Sequence, residues 1–174
     1  MKTTLTFLVL IVMVSFSAAA QQPAQQDPLL DRMTGNWVLK GTIAGHETTH
    51  DIESDWVLGH EYLRIHETSR EKNTQGQAAY EAIVFIEWDE PSGEYACLWL
   101  DSTEGGGLSS QVIGHGKRNG DEIAFLFKSK AGNFHTTFAY NKNSDTWQWL
   151  MDDEEGGKLS PFARVRLTRK QGQE

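Results

Sequence analysis

The chain has 174 residues, which is enough for one domain with a sizeable core and too few for two ordinary domains. Its 16 Lys and Arg residues against 24 Asp and Glu residues give a formal net charge of −8 at pH 7. This balance argues against nucleic-acid binding, which needs clustered basic side chains, and the 39% hydrophobic content is typical of a soluble globular domain.

The first twenty residues have the features of a secretory signal peptide. Lys2 supplies the positive charge, residues 5–16 form an apolar stretch, and residues 18–20 are the small residues of a cleavage site. The apolar stretch is shorter than the about 20 residues that a membrane-spanning helix needs. We therefore expect cleavage after Ala20 and an exported protein, periplasmic or secreted, without a stable membrane anchor.

Residues 21–33 are predicted to form a polar tether and one short helical turn. The tether covers 21–26, and Asp27 and Pro28 are a favourable cap and first residue for the turn that follows. The barrel domain itself is predicted over 34–170.

From Thr34 onward the apolar residues alternate with period two, which is typical of half-buried strands. The predicted strands occupy 34–43, 48–57, 61–70, 78–88, 94–101, 108–117, 121–129, 133–140, 145–152 and 161–169. Short turn-forming separators such as Asn119-Gly120 favour antiparallel neighbours. Because closure removes exposed strand edges, the pattern predicts an all-β, up-and-down antiparallel barrel of about ten strands, with a two-sheet sandwich as the alternative.

The alternation assigns an unusually aromatic set of side chains to the interior. A barrel with this number of strands can be wide enough to hold a small ligand, and an interior filled by the aromatic rings is the alternative. The aromatic residues predicted to line a ligand cavity are Trp37, Trp56, Trp88, Phe125, Phe138 and Trp149.

The third strand allows two orientations. If Leu63 and Ile65 point inward, Arg64 and His66 are simply solvated. If the basic pair points inward, Arg64 and His66 would bind an acidic group on the ligand, because a buried cation needs an anionic or hydrogen-bonding partner. Both residues are therefore candidate ligand-binding residues.

The segment His46-Glu47-Thr48-Thr49-His50 matches the H-E-x-x-H pattern of zinc peptidases, with Glu67 or Glu71 as a third ligand. That chemistry requires a helix, which places both His residues on one face. The β-branched residues inside the pattern and the alternation after it predict a strand instead. On a strand the two His residues are about 13 Å apart, which is too far to share one ion.

Two further features concern cysteine and the outer surface. Cys97 is the single cysteine and lies in an apolar run, which predicts a buried small hydrophobe rather than a nucleophile. The fourth and fifth strands carry apolar residues on both faces, including Ile83, Phe85, Leu98 and Leu100. Such strands need cover from outside, and a second subunit would provide it, so we expect a homodimer through this sheet.

The helical turn followed by Gly35-Asn36-Trp37 resembles the entry of lipocalin and calycin barrels. The resemblance implies that Trp37 plugs the closed end of the barrel and that an Arg of the last strand packs across it. Arg169 is the best match for that Arg, with Arg166 as a second choice. Gly35, Trp37 and Arg169 are thus candidate structural residues.

A longer part of the chain, 35–169, resembles an uncharacterised bacterial family of exported lipocalin-like domains. The similarity lies in 56–63, in the hairpin around 88–95, in 99–102 and in the closing strand 162–169. Because that family has no agreed activity, the resemblance implies the fold rather than a function. A similar entry motif occurs in nitrobindin, a barrel that binds haem. Haem binding needs a His that reaches the iron, but the alternation places His135 on the face opposite Phe134 and Phe138.

Together these observations predict an exported, non-enzymatic barrel that needs no cofactor. Its expected partner is a small, largely apolar molecule, with an acidic group as an additional feature. The alternatives are a zinc-dependent hydrolase that uses His46, Glu47 and His50, a haem-binding nitrobindin-like barrel, and a filled barrel that acts through its surface.

Overall fold

The computed structural model describes residues 27–103 and 108–171. The predicted signal peptide over 1–20 and the tether over 21–26 lie outside the described residues. The described part of the chain contains no helix with the length and apolar character that crossing a membrane requires.

Ten strands make up most of the described chain, and its helical content is two 3₁₀ turns, at Leu30–Met33 and Ser110–Val112. The strands are β1 (Gly35–Ile43), β2 (His46–Val57), β3 (Tyr62–Ser69), β4 (Glu81–Asp89), β5 (Glu94–Asp101), β6 (Ile113–Asn119), β7 (Glu122–Lys128), β8 (Asn133–Asn141), β9 (Thr146–Glu155) and β10 (Lys158–Arg169).

The strands form one closed barrel. Each strand pairs antiparallel with the next one along the chain, and β10 pairs antiparallel with β1 from Trp37 opposite Arg169 to Ile43 opposite Ala163. Closure leaves neither sheet edge unpaired. The prediction of an all-β up-and-down barrel is confirmed, and the sandwich alternative is wrong.

Several strand ends differ from the predicted ones because the connecting turns are tighter than expected. Gly156 and Gly157 both have positive φ angles, 58° and 78°, as the two central residues of a tight hairpin turn do. The turn lets β9 extend to Glu155 and β10 begin at Lys158, opposite each other in register. Conversely, β6 begins only at Ile113 because the 3₁₀ turn at Ser110–Val112 precedes it.

The N-terminal 3₁₀ turn closes one end of the barrel. Leu29, Leu30 and Met33 are buried there, and the carbonyl of Met33 accepts a 2.7 Å hydrogen bond from the Trp37 indole. The guanidinium carbon of Arg169 lies 3.9 Å from the centre of the Trp37 ring, the packing that the lipocalin resemblance implies. We call this end the plugged end.

Gly35 allows this arrangement. Its φ angle is 110°, a conformation that side chains with a Cβ rarely adopt, and a Cβ built there would lie 2.8 Å from a guanidinium nitrogen of Arg169. The position thus leaves space for the Arg169 head group against the plug.

The interior has a filled half and an open half. Beside the plug, the core is packed with large side chains, among them Trp37, Phe125, Phe138 and Trp147. Toward the opposite end, a cavity lies inside the barrel. The two sequence-based expectations, a filled interior and an open one, therefore each describe one half.

The orientation of the third strand is settled. Leu63 and Ile65 are fully buried, and Arg64 and His66 point outward. Arg64 pairs with Asp55 at 2.8 Å, and His66 pairs with Glu81 at 2.7 Å. Cys97 is fully buried, and burial raises the pKa of its thiol.

Candidate ligand-binding cavity

A cavity of about 990 Å³ occupies the open half of the barrel. It opens at the end where the connections after β1, β3, β5, β7 and β9 lie, opposite the plugged end. Its mouth includes exposed residues such as His46, Glu71 and Glu155, and its deeper part reaches Trp149.

Aromatic side chains form much of the cavity wall. They are Tyr80, Trp99, Phe127, Phe134, Trp149 and Phe162. Trp99 meets Trp149 edge-on with ring centres 6.3 Å apart, and Phe134 meets Phe162 in the same way at 5.3 Å. Edge-to-face contacts hold the rings in place, and Trp99, Phe134 and Phe162 remain partly exposed, whereas Trp149 is fully buried.

Two buried polar groups lie among these rings without a protein partner. The Trp149 indole N–H and the Thr136 hydroxyl are fully buried, and neither has a hydrogen-bond partner within the described residues. Both residues line the cavity. An unmade hydrogen bond costs a buried polar group about 1–3 kcal/mol, so a bound molecule that satisfied these groups would recover that energy.

A buried polar chain crosses the wall from β2 to β3. Nδ1 of His50 bonds the carboxylate of Glu67, and the other ring nitrogen of His50 lies 2.7 Å from the Thr48 hydroxyl. The exposed fractions of His50 and Glu67 are only 4% and 2%. The pair is held by the register of the two strands, in which Ile52 lies opposite Glu67 and His50 lies opposite Ser69.

Tyr80 extends this chain to the next strands. Its ring stacks on His50 with centres 5.6 Å apart, and its hydroxyl accepts a 3.2 Å hydrogen bond from the Trp99 indole. Burial, followed by the negative charges of Glu67 and Asp101, raises the pKa of Tyr80 far above its ordinary value. Its phenol therefore stays protonated across the physiological pH range.

The charged groups around the cavity are mostly acidic. Seven carboxylate residues belong to its lining, and the described lining contains neither Lys nor Arg. The acidic residues are Glu47, Glu67, Glu71, Asp101, Asp153, Glu154 and Glu155. His46 and His50 are the basic side chains of the described lining.

Of the predicted ligand-binding aromatic residues, Trp149 lines the cavity. Trp37, Phe125 and Phe138 point inward as predicted but lie in the filled half. Alternation determines which face of a strand a residue occupies, and it carries no information about depth along the barrel axis.

Two other predicted Trp residues lie at the ends of their strands. Trp56 is half-buried beside the plug, where its indole donates to Asp31 at 2.8 Å. Trp88 is 48% exposed and packs edge-on against Tyr95 with ring centres 5.0 Å apart. Its place near the end of β4 puts it beyond the enclosed interior.

Arg64 and His66 are not part of the cavity wall, because the apolar residues of β3 occupy its inner face. His50 and Glu67 lie in the wall instead, and the sequence pattern predicts them only as metal ligands. The alternation along β2 puts His50 on the same inward face as Ile52 and Ser54. This pattern in the sequence was enough to place His50 in the wall.

The H-E-x-x-H segment is part of β2 and not of a helix. Both ring nitrogens of His50 are engaged, by Glu67 and Thr48, so neither is free to bind zinc or haem iron in this arrangement. The Glu47 carboxylate accepts a 2.9 Å bond from Thr42. Within 27–103 and 108–171, no three His, Cys, Asp or Glu side chains are grouped to hold a metal ion.

No protein-family model matches the chain, and the curated proteins contain no significant match to it.

Proposed function

We propose that the protein is an exported binding protein that holds one small, largely apolar molecule in the open half of its barrel. The observation that carries this proposal is the cavity of about 990 Å³ between aromatic walls, with two buried polar groups that lack partners. Ligand pockets typically enclose about 300–1,000 Å³ and combine apolar walls with a few directional polar groups.

The architecture supports a binding role because stability and binding are assigned to different ends. The plug and the filled half provide a rigid core, and the open half is free to differ in its side chains. The resemblance to lipocalin-like barrels also implies a barrel closed at one end. Gly35, Trp37 and Arg169, at the plugged end, support the proposed relationship.

The proposal omits the acidic group that the sequence suggested for the ligand. Arg64 and His66, which were to bind that group, point outward and are paired with Asp55 and Glu81. The apolar character of the ligand rests instead on the aromatic wall.

Fluorescence titration tests the binding function directly. Trp99 and Trp149 line the cavity, so a guest there changes the emission of the protein. We expect N-phenyl-1-naphthylamine, which is uncharged at neutral pH, to bind saturably with one site per chain. Absence of saturable binding to the folded protein would contradict the proposal.

A cavity-filling variant locates the site. Val165 lines the cavity, and Val165→Phe places a ring in the space that the guest would occupy. We expect a loss of affinity of about tenfold or more, equivalent to about 1.4 kcal/mol. Thr168→Phe is the matched control, because it adds the same ring to the outer face of the same strand. Equal weakening by both variants would argue against this location.

Export rests on the signal-peptide features of 1–20 and is tested separately. We expect the protein purified from its own host to begin at Gln21, as read by mass spectrometry of the intact chain. A mature protein that retains Lys2 would overturn this part of the proposal. The same measurement under native conditions would detect a molecule that co-purifies in the cavity.

A further inference from the structure

The cavity differs from a neutral apolar pocket in the sign of its charges. Its described lining holds seven carboxylate residues without a Lys or Arg to balance them. By strand parity, Glu67, Asp101, Asp153 and Glu155 share the inward face with buried neighbours. An enclosed site with one sign of charge favours a guest of the opposite sign, because the low-dielectric walls concentrate the field.

Two of these carboxylates lie in one row of the sheet. Glu67 on β3 and Asp101 on β5 both pair with Ala82, which lies between them on β4. With neighbouring strands about 4.8 Å apart, the two backbones are separated by about 10 Å. Ala82, between them, adds only a methyl group to the inner face of the wall.

The two carboxylates differ in how they are compensated. Glu67 is bonded to His50. Asp101 accepts hydrogen bonds from the backbone and the hydroxyl of Thr103, and within the described residues it forms no ion pair. Asp101 therefore keeps a negative charge that a bound cation would neutralise.

Aromatic rings accompany this row. Trp99 precedes Asp101 by two residues and shares its face, and the Trp99 indole bonds the hydroxyl of Tyr80 at 3.2 Å. Indole and phenol faces attract cations within about 6 Å of the ring centre. Carboxylates beside aromatic faces form a suitable site for an ammonium group.

The wall on the opposite side of the barrel gives independent support for a bound molecule. Thr136 on β8 and Trp149 on β9 belong to the cavity lining, and each carries a buried polar group without a partner in the described residues. The Trp149 N–H requires a hydrogen-bond acceptor. A guest that spans the cavity would present an acceptor here and its charge on the other side.

We propose that the bound molecule is an amine, with its ammonium group beside Glu67 and Asp101 and its apolar body against Trp99 and Trp149. This inference rests on the proposed binding function and adds the chemical class of the ligand.

Three probes that share one ring system and differ in charge test the inference. They are 2-naphthylmethylamine, 2-naphthalenemethanol and 2-naphthoate, titrated by tryptophan fluorescence at neutral pH. We expect the amine to bind about tenfold more tightly than the alcohol, and the alcohol more tightly than the carboxylate. Added salt should weaken the binding of the amine and leave the binding of the alcohol unchanged.

A charge-removing variant places the ammonium group. Asp101→Asn should reduce the preference for the amine over the alcohol about fivefold or more, with little change in the affinity for the alcohol. Asp55→Asn is the matched control, because it removes one carboxylate from the outer face of β2. Asp101 is preferred over Glu67 for this test because replacing Glu67 also disturbs the buried His50.

The outcomes separate the two proposals. If the alcohol binds as tightly as the amine, the charge inference is wrong and the binding function stands. If Asp101→Asn and Asp55→Asn alter the preference equally, the assigned position is wrong. If none of the three probes and no neutral aromatic probe binds, the binding function itself fails.

Discussion

Arg169 fastens the end of the last strand to the plug. Its guanidinium lies over the Trp37 ring and donates to the carbonyls of Thr34 and Arg32, at 2.6 and 3.1 Å. It also pairs with Asp145 and lowers the pKa of that carboxyl. A planar group that bonds in several directions fits this position better than an ammonium group does.

We expect Arg169→Met to lower the free energy of unfolding by about 1–3 kcal/mol, because it removes the cation–π contact and the bonds to two carbonyls. Urea denaturation measures the change. Arg166→Met, on the outer face of the same strand, should alter stability by less than about 0.5 kcal/mol. Similar losses in the two variants would show that the plug does not depend on Arg169.

The buried pair of His50 and Glu67 should show strong energetic coupling. Replacing one partner leaves the other buried without its hydrogen bond, and such changes cost about 3–5 kcal/mol. We expect the double variant His50→Phe/Glu67→Leu to lose clearly less than the sum of the single variants, as measured by a double-mutant cycle in urea.

The exposed pair of His66 and Glu81 is the control for that cycle, because this pair also joins an imidazole to a carboxylate at a similar separation. Its coupling should stay below about 1 kcal/mol, because solvent screens the interaction. Equal coupling in the two cycles would contradict the role of burial.

The sequence predicts which face of a strand a side chain occupies, but not its depth along the barrel axis. Period-two alternation predicts that Trp37, Phe125 and Phe138 point inward, and they do. It gives no sign that these three lie in the filled half while Phe127, two residues beyond Phe125, lines the cavity. Depth depends on strand tilt and on the position of the plug, and both are set only when the barrel closes.

At the scale of elements, the N-terminal 3₁₀ turn acts as a stopper built from a few side chains. Asp27 accepts hydrogen bonds from the backbone of Leu29 and Leu30 and from the Tyr95 hydroxyl. These bonds fix the turn against the barrel wall, so that Leu30 and Met33 seal the plugged end. The sequence predicted this turn from Asp27 and Pro28.

Met33 tests whether the plug and the cavity are independent. We expect Met33→Ala to cost about 2–5 kcal/mol of stability, because its side chain is fully buried. The affinity for a cavity probe should not change, since Met33 is outside the cavity lining. Urea denaturation and fluorescence titration measure the two effects, and Arg32→Ala at the exposed neighbouring position is the control. A parallel loss of affinity would show that the plug shapes the site.

The turns account for the errors in strand length. The sequence predicts a hairpin turn at Asn119-Gly120. The two turn residues are Gly120 and Asp121, with Asn119 paired to Glu122, and the strands end close to where they were predicted. Ala44-Gly45 is less typical, yet both residues have positive φ angles and β2 begins directly at His46. Turn propensity is a weak signal when neighbouring strands already hold the hairpin in register.

At the scale of the whole molecule, the outer face of β4–β6 carries an apolar patch. Ile83 lies opposite Leu100, Phe85 opposite Leu98, and Leu98 opposite Ile113. Ile83 and Ile113 are 38% and 39% exposed. Since a twofold dimer pairs the same patch with itself, we propose that two copies of the chain associate through this face.

Light scattering should show a dimer that dissociates on dilution, and Ile83→Lys/Ile113→Lys should be monomeric. Thr168→Lys, on the outer face of β10, should leave the association unchanged. A monomer at every concentration would remove the proposal without affecting the cavity.

Alkaline pH offers a test of the closed fold through its tyrosines. Folding raises the pKa of all four. Burial is the main cause for Tyr80, Tyr95 and Tyr140, the charge of Glu87 for Tyr62, and the pKa of Tyr95 reaches about 12. Because the unfolded phenols lose their protons near pH 10 while the folded ones keep theirs, stability is complete below that pH and falls above it.

The buried Tyr80 should account for up to about 1.4 kcal/mol of this loss per pH unit, and the buried thiol of Cys97 acts in the same direction. Urea denaturation between about pH 8 and 11 measures the slope, and absorbance at about 295 nm reports ionised phenols. Tyr80→Phe should reduce the slope, because phenylalanine has no proton to lose. An unchanged slope in that variant, or phenols that all ionise near pH 10 in the folded protein, would mean that solvent reaches Tyr80 and that the wall beside the cavity is open.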